Sequence, residues 1–107
     1  MPRLPRFLRS DDPLEKVIEE KVCAYGKTLG IANRKYVTPA NRSSPDRIFF
    51  VCRPGREPLT FFIEFKRKGQ EPTEKQQLEH DFYRALGYYV FVVDNVADGK
   101  LIMELMA

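Results

Sequence analysis

Two apolar stretches decide the fold: Arg47-Ile48-Phe49-Phe50-Val51-Cys52-Arg53 and Thr60-Phe61-Phe62-Ile63-Glu64-Phe65-Lys66. Both are rich in the aromatic and β-branched residues that favour β-strands. The segment between them, Pro54-Gly55-Arg56-Glu57-Pro58, has the composition of a turn. Together the three segments predict a β-hairpin.

The predicted hairpin brings three charged residues together. Because the start of the first strand lies beside the end of the second in an antiparallel pair, Asp46 is expected close to Glu64 and Lys66. Side chains alternate between the two faces of a strand, so Glu64 and Lys66 should share one face while Ile63 and Phe65 occupy the other. Two carboxylates and an ammonium group therefore converge at one end of an apolar hairpin.

This combination of side chains suits metal-assisted phosphate chemistry. Mg²⁺ prefers a few carboxylates plus water, and a bound metal lowers the pKa of its water and stabilises charge on a phosphate. The lysine can orient the attacking water and neutralise growing negative charge. An exposed Glu–Lys pair beside a turn aspartate is the simpler explanation for such residues, since exposed ion pairs are common and weak. The apolar surroundings of Glu64 and the Pro45-Asp46 step favour the metal site.

The same residues resemble the signature of a nuclease superfamily. Pro45-Asp46 followed by Glu64-Phe65-Lys66 is similar to the motif of the PD-(D/E)XK nucleases. Further stretches are similar, in order, to the stand-alone VRR-Nuc branch of that superfamily: 35–39, 44–47, 62–66, Pro72-Thr73, Gln76, 84–87 and 92–94. The likeness extends over roughly residues 14 to 96.

The resemblance implies a metal-dependent endodeoxyribonuclease. It implies that Asp46 and Glu64, with the Phe65 carbonyl oxygen, bind Mg²⁺ or Mn²⁺, and that Lys66 positions the attacking water. In the resembled family a glutamate from the first helix completes the metal site. Gln76 corresponds to a glutamine of that family that lies near the site.

Two acidic residues of the predicted first helix are candidates for the additional ligand. The start signal Ser10-Asp11-Asp12-Pro13 and a helical apolar repeat predict this helix. The repeat comprises Leu14, Val17, Ile18, Val22, Tyr25 and Leu29, and Gly30 ends it. Glu15 and Glu19 lie on one edge of the apolar stripe, so we expect Glu19, or else Glu15, to reach the site. For each of them taken singly, the alternative is an ordinary surface position near the helix start.

Gln76 and His80 have two interpretations each. Thr73-x-x-Gln76 is a capping box in which Gln76 satisfies backbone groups at the start of a second helix, while the resemblance assigns it an auxiliary catalytic role. His80 shares a polar helix edge with Gln76 and Tyr83. A single histidine there is expected to be exposed, with a DNA contact as the alternative, and we assign it no catalytic role.

The basic residues are distributed around the carboxylates. The net charge is only +3, but the residues expected to contact a phosphate backbone bracket the acidic pair on both sides. These residues are Lys35, Arg42, Arg47, Arg67 and Lys68. Residues 1–11 form a basic N-terminal arm, for which DNA contact and a solvated surface are equally compatible.

The remaining pattern predicts an α/β sandwich. We expect a helix, three strands, a helix, a strand and a helix around a mixed sheet, as in restriction-endonuclease-like domains. The elements after the first helix are a strand at 34–37, the hairpin, a helix at 73–86, a strand at 88–94 and a helix at 95–105. The second helix should bury Leu78, Phe82, Ala85 and Leu86, and the strand at 88–94 should be central.

Composition bounds the class of protein. A chain of 107 residues with 43% hydrophobic content predicts one folded domain. No apolar run approaches the roughly 20 residues needed to span a bilayer. Cys23 and Cys52 are too few for a disulfide framework. We therefore expect an intracellular protein with reduced thiols and no membrane partner.

The resemblance also bears on substrate and assembly. Stand-alone members of the resembled family are dimers that act on four-way DNA junctions, so a homodimeric, Holliday-junction-resolvase-like nuclease is the leading expectation. Either the aromatic hairpin or the apolar segment at 101–106 is the expected interface. A non-catalytic DNA-binding module and a sequence-specific restriction-type nuclease are the alternatives. The chain has little room for loops that read base edges, which disfavours the latter.

Overall fold

The computed structural model describes residues 14–37 and 45–107. They form three helices and one four-stranded sheet, in the chain order that the sequence predicts. The elements are α1 (Glu15–Thr28), β1 (Ala32–Lys35), β2 (Arg47–Val51), β3 (Leu59–Phe65), α2 (Glu74–Ala85), β4 (Tyr89–Val93) and α3 (Val96–Met106). The predicted α/β sandwich with a mixed sheet is therefore confirmed.

The strands lie in the order β1-β2-β3-β4. The first two pairs are antiparallel, and β4 runs parallel to β3. In the β2–β3 hairpin Arg47 lies opposite Ile63 and Phe49 opposite Phe61. This is the predicted register, and it brings the start of β2 beside the end of β3.

One face of the sheet forms the main core with α1 and α3. Phe49 and Phe61 stack on this face with their ring centroids 4.9 Å apart, and Ile63 and Phe65 are fully buried beside them. The two helices approach so closely that a Cβ atom at Gly99 would collide with the side chain of Val22. The core therefore fixes α1 against β3, the strand that carries Glu64.

Helix α1 ends as its sequence predicts. Gly30 has a φ angle of +80°, and the following residue, Ile31, donates its backbone N–H to the Gly26 oxygen at 2.9 Å. Ile18 and Val22 form the buried stripe, whereas Val17 is partly exposed. The start signal at residues 10–13 lies outside the described residues.

Helix α2 covers the other face of the sheet. The side of the helix that is turned toward the sheet is the opposite of the predicted one. Leu78, Phe82 and Leu86 are 64%, 57% and 61% exposed, and Ala85 is exposed as well. The buried residue of this helix is His80. The predicted buried face of α2 is wrong, because the sheet presents acidic and basic side chains to this helix, and these require polar partners.

Strand β4 is also placed differently from the prediction. Within the described sheet it pairs only with β3, so it is an edge strand and not a central one. Val90 and Val93 are buried, whereas Tyr89 and Val92 are 54% and 37% exposed. Val90 and Val93 point to opposite faces of the strand, so each face of this edge strand is only partly covered.

Two predictions from composition can be compared with the described residues. None of the helices in residues 14–37 and 45–107 is long and apolar enough to cross a membrane. Cys23 and Cys52 are both free thiols, the first buried and the second exposed.

Candidate metal and phosphodiester site

Asp46 lies at the point where β1, β2 and β3 meet. Its backbone oxygen accepts a hydrogen bond from the Tyr36 N–H at 2.9 Å. Its side-chain Oδ2 accepts a hydrogen bond from the backbone N–H of Phe65 at 2.6 Å. The carboxylate is therefore tied to the end of β3, as the hairpin register predicts.

Glu64 projects from β3 toward α2. It is only 2% exposed, and its Oε1 lies 3.3 Å from Nε2 of His80. The neighbouring residues Ile63 and Phe65 lie in the main core on the opposite face of the strand. The alternation predicted for this strand is confirmed, since Lys66 also turns toward α2.

The two carboxylates interact strongly. Burial, followed by the charge of Glu64, raises the pKa of Asp46 from 3.8 to about 7, although the hydrogen bond from the Phe65 N–H opposes this rise. A hydrogen bond between the two acids adds to the increase. Like-charged groups at a buried site disfavour ionisation, and a cation between them would relieve that repulsion.

Lys66 is held by the start of helix α2. Its Nζ donates a hydrogen bond to Oε1 of Gln76 at 2.7 Å. The same Oε1 accepts the Thr73 backbone N–H at 3.0 Å, and the Gln76 N–H donates to Thr73 Oγ1 at 3.2 Å. Gln76 is thus both part of the capping box and the partner of the lysine.

The two candidate glutamates of α1 occupy different surroundings. Burial raises the pKa of Glu15, Lys66 opposes that rise, and Glu64 and Glu19 add to it, so Glu15 lies within electrostatic reach of the site. Glu19 is instead paired with the guanidinium group of Arg47. This arrangement favours Glu15 as the additional acid.

The donor set at the site fits a small divalent cation. Among residues 14–37 and 45–107, no three His, Cys, Asp or Glu side chains are close enough to hold one ion. The donors that the structure brings together are two carboxylates, those of Asp46 and Glu64. Mg²⁺ typically binds proteins through one or two carboxylates and completes its shell with water and substrate oxygens. The two adjacent acids, one with a raised pKa, match that requirement.

The residues predicted to contact phosphates differ in their exposure and in their partners. Lys35 and Lys68 are exposed, and Arg67 is partly buried just after Lys66. Besides its ion pair with Glu19, Arg47 donates from Nη1 to Asn33 Oδ1 at 2.9 Å, so its guanidinium group is already engaged. Arg42 and the basic arm at 1–11 lie outside the described residues.

The position of His80 differs from the prediction. It is 0% exposed, so the expected solvent-exposed histidine and its alternative as a DNA contact are wrong. Gln76, His80 and Tyr83 are separated by four and three residues, and all three face the sheet through hydrogen bonds to Lys66, Glu64 and Tyr36 respectively. The sequence contained a sign of this contact. The polar residues recur along one edge of the helix, just as the charged residues recur along one face of the hairpin strand.

Comparison with known proteins supports the family resemblance seen in the sequence. No protein-family model matches the sequence. The protein called "Putative nuclease p44" from the Acyrthosiphon pisum secondary endosymbiont phage 1 is 38% identical over 90 residues, which cover 84% of this chain and 87% of that protein.

A solved structure described as a VRR_NUC domain superposes with a TM-score of 0.75 and 24% sequence identity. The match covers 84% of this chain and 94% of that one. At 24% identity the solved structure establishes the fold of this chain. The phage protein, at 38% identity, shows that the two sequences are related. The chain belongs to the VRR-Nuc family.

Proposed function

We propose that this protein is a divalent-metal-dependent endonuclease that hydrolyses DNA phosphodiester bonds. The observation that carries the proposal is the convergence of Asp46, Glu64 and Lys66 at the end of the β2–β3 hairpin. The name of the phage relative supports the same class of activity. The cofactor is Mg²⁺ or Mn²⁺, which when bound polarises the scissile phosphate and acidifies a coordinated water.

The protein residues have distinct roles in this reaction. Asp46, Glu64 and the Phe65 carbonyl oxygen hold the cation. Glu15, the acid of α1 within electrostatic reach of the site, acts on the water around the cation and not as a third carboxylate ligand. Lys66 directs its ammonium group at the reaction centre, where it orients the attacking water and balances negative charge on the phosphate. Gln76 fixes the direction of the lysine side chain through the 2.7 Å hydrogen bond.

The direct test is a cleavage assay with labelled DNA. Linear, flap, splayed and four-way substrates are incubated with Mg²⁺ or Mn²⁺, and EDTA serves as the control. We expect cleavage with either cation and none with EDTA. Binding without cleavage under all conditions would contradict the proposal and favour a non-catalytic DNA-binding module.

A first prediction concerns the path of the DNA backbone. If Lys35 and Lys68 contact phosphates, replacing either with Ala should weaken binding to all sequences and reduce the slope of log K against log salt by about one unit. Binding is measured by fluorescence anisotropy at several salt concentrations. The matched control is Lys100→Ala, because Lys100 Nζ lies 5.2 Å from the Tyr25 ring. Tyr25 is ten residues along α1 from Glu15, or about 15 Å.

The control should leave the salt slope unchanged. A loss of affinity confined to one DNA sequence would instead indicate base readout and favour a restriction-type nuclease. Arg47→Ala is expected to alter the slope less than Lys68→Ala, because Arg47 is already paired with Glu19.

We further propose that the nuclease acts as a homodimer on branched DNA, with the four-way junction as the favoured substrate. One site cuts one strand, whereas junction resolution requires two symmetric cuts, which a two-fold dimer supplies. The hairpin aromatics cannot provide the interface as a group, because Phe49, Phe61 and Phe62 are buried. Exposed apolar side chains lie instead on α2, at Leu78, Phe82 and Leu86, and on α3, at Leu101 and Leu105.

A second prediction follows from this assembly. At micromolar concentration the protein should scatter light as a dimer and place paired, symmetric cuts on a four-way junction. Phe82→Glu should produce monomers if α2 forms the interface, and Leu105→Glu should do so if α3 forms it. In either case the new charge would be buried without a partner, which is costly. A wild-type monomer, or asymmetric cuts, would leave a general structure-specific nuclease and contradict the resolvase-like activity.

A further inference from the structure

His80 is a buried polar residue that the reaction outlined above does not use. It is the only histidine of the chain, and it is 0% exposed on the inward side of α2. Burial of an imidazole is costly unless its nitrogen atoms find partners. A leucine or phenylalanine would fill the same volume without that cost, so the choice of histidine requires a reason.

The contact of His80 with Glu64 supplies that reason. Nε2 lies 3.3 Å from Glu64 Oε1, and the carboxylate is itself 2% exposed. A carboxylate oxygen accepts hydrogen bonds, so Nε2 must carry the hydrogen. Nδ1 is buried and has no hydrogen-bond partner within residues 14–37 and 45–107. The neutral tautomer with hydrogen on Nε2 leaves no buried N–H group unpaired.

The contact belongs to a repeated arrangement along α2. Gln76 holds Lys66 at one turn of the helix, and His80 holds Glu64 at the next turn. The two helix residues are separated by four positions, and the two strand residues by two. One helix face therefore supports two charged groups of the site, which explains why α2 buries its polar stripe.

We propose that His80 is a positioning residue that orients Glu64 for metal binding. Its Nε2–H holds Oε1, which leaves the second carboxylate oxygen to face Asp46 and the cation. This inference rests on the proposed function. Hydrogen bonds from a neighbouring group to a ligating carboxylate fix its orientation, and their loss typically costs about 10–100-fold in metal affinity or activity.

The first test is metal binding without DNA. Mn²⁺ binding to the wild-type protein, His80→Leu and His80→Gln is measured by calorimetry. His80→Leu keeps an apolar side chain in the space but has no donor, so we expect about 10–100-fold weaker Mn²⁺ binding. The amide nitrogen of glutamine reaches about as far as Nε2, and His80→Gln should restore most of the affinity. Lys75→Ala, an exposed change on the same helix, is the matched control for helix stability.

Kinetics provide a second readout. His80→Leu should lower kcat and raise the Mn²⁺ concentration that gives half-maximal cleavage, while KM for DNA stays unchanged. A purely structural role would change the unfolding temperature without this separation of kcat from KM. If His80→Leu does not fold, His80→Asn replaces it, because the asparagine amide is too short to reach Glu64.

A third readout uses the single histidine directly. Nitrogen-15 labelling of histidine yields one imidazole in the NMR spectrum, which should report hydrogen on Nε2 and should shift when Mg²⁺ is added. The shift should be absent in Glu64→Gln. Hydrogen on Nδ1 instead of Nε2 would overturn the positioning role.

The outcomes separate the two proposals. Equal Mn²⁺ binding and equal kcat in the wild-type protein, His80→Gln and the donor-free variant would overturn the role of His80 and leave the metal-dependent nuclease intact. If the wild-type protein binds no Mn²⁺ and cleaves no DNA, the proposed function fails, and the role of His80 fails with it.

Discussion

Replacing Asp46 with Asn is expected to abolish DNA cleavage while the protein still folds and binds DNA. The change removes the charge of a proposed metal ligand but keeps its shape, and the amide oxygen can still accept the Phe65 N–H. Loss of a direct ligand should exceed the cost of about 10–100-fold that is typical of losing an outer partner. Glu64→Gln should behave in the same way. The measurements are single-turnover cleavage and DNA-binding anisotropy.

The stability of this variant provides the control. Burial and the charge of Glu64 raise the pKa of Asp46 to about 7, so the folded state holds this proton more tightly than the unfolded state. The stabilising contribution of the protonated acid is complete below pH 4 and declines as the pH rises toward 7. Without metal at pH 8, Asp46→Asn should therefore unfold at a temperature no lower than the wild-type protein. Cleavage at the normal rate would show that Asp46 is not a ligand.

The hairpin could be predicted from sequence because its determinants are local. Alternating apolar residues, a turn segment and the period of two along a strand place Asp46 beside the end of β3 and put Glu64 and Lys66 on one face. The structure has this register, with Arg47 opposite Ile63. The acidic pair and its lysine followed from these rules without knowledge of the remaining fold.

Helix α2 could not be predicted in the same way, because its orientation depends on what the sheet presents to it. The rule that a helix buries its apolar stripe places Leu78 and Phe82 inside, yet both are exposed. The face of the sheet that contacts α2 carries Glu64 and Lys66, and these side chains need polar partners when they are buried. The polar stripe therefore faces inward, and the positions of His80 and Gln76 become clear only when the helix and sheet are seen together.

The choice between Glu15 and Glu19 illustrates a second limit of sequence reasoning. Both lie on the same edge of α1, so helical periodicity cannot separate them. A long-range ion pair does so: Arg47 at the start of β2 engages Glu19, whereas Glu15 interacts electrostatically with Lys66 and Glu64. Partners 28 residues apart in the chain cannot be paired from local pattern alone.

Replacing Lys66 with Ala is expected to lower kcat by about 10²–10⁴-fold, the usual contribution of a positioned group that assists proton transfer. Mn²⁺ binding should persist, because the lysine is not a ligand. Calorimetry without DNA and single-turnover cleavage measure the two effects separately. The matched control is Lys75→Ala, an exposed lysine at the start of α2, which should leave kcat unchanged. Loss of Mn²⁺ binding in Lys66→Ala would indicate a structural role for the lysine.

The support that Gln76 gives to Lys66 can be separated from its role as a helix cap. Thr73→Ala removes the hydroxyl that accepts the Gln76 N–H, but it leaves the hydrogen bond from Lys66 to Gln76 in place. It should cost about 0.5–2 kcal/mol of stability and little kcat. Gln76→Leu removes the side-chain oxygen that accepts both the Thr73 N–H and the Lys66 ammonium group, so it should lower stability and kcat together. Equal kcat in the two variants would mean that Gln76 acts only as a cap and that Lys66 reaches the phosphate without it.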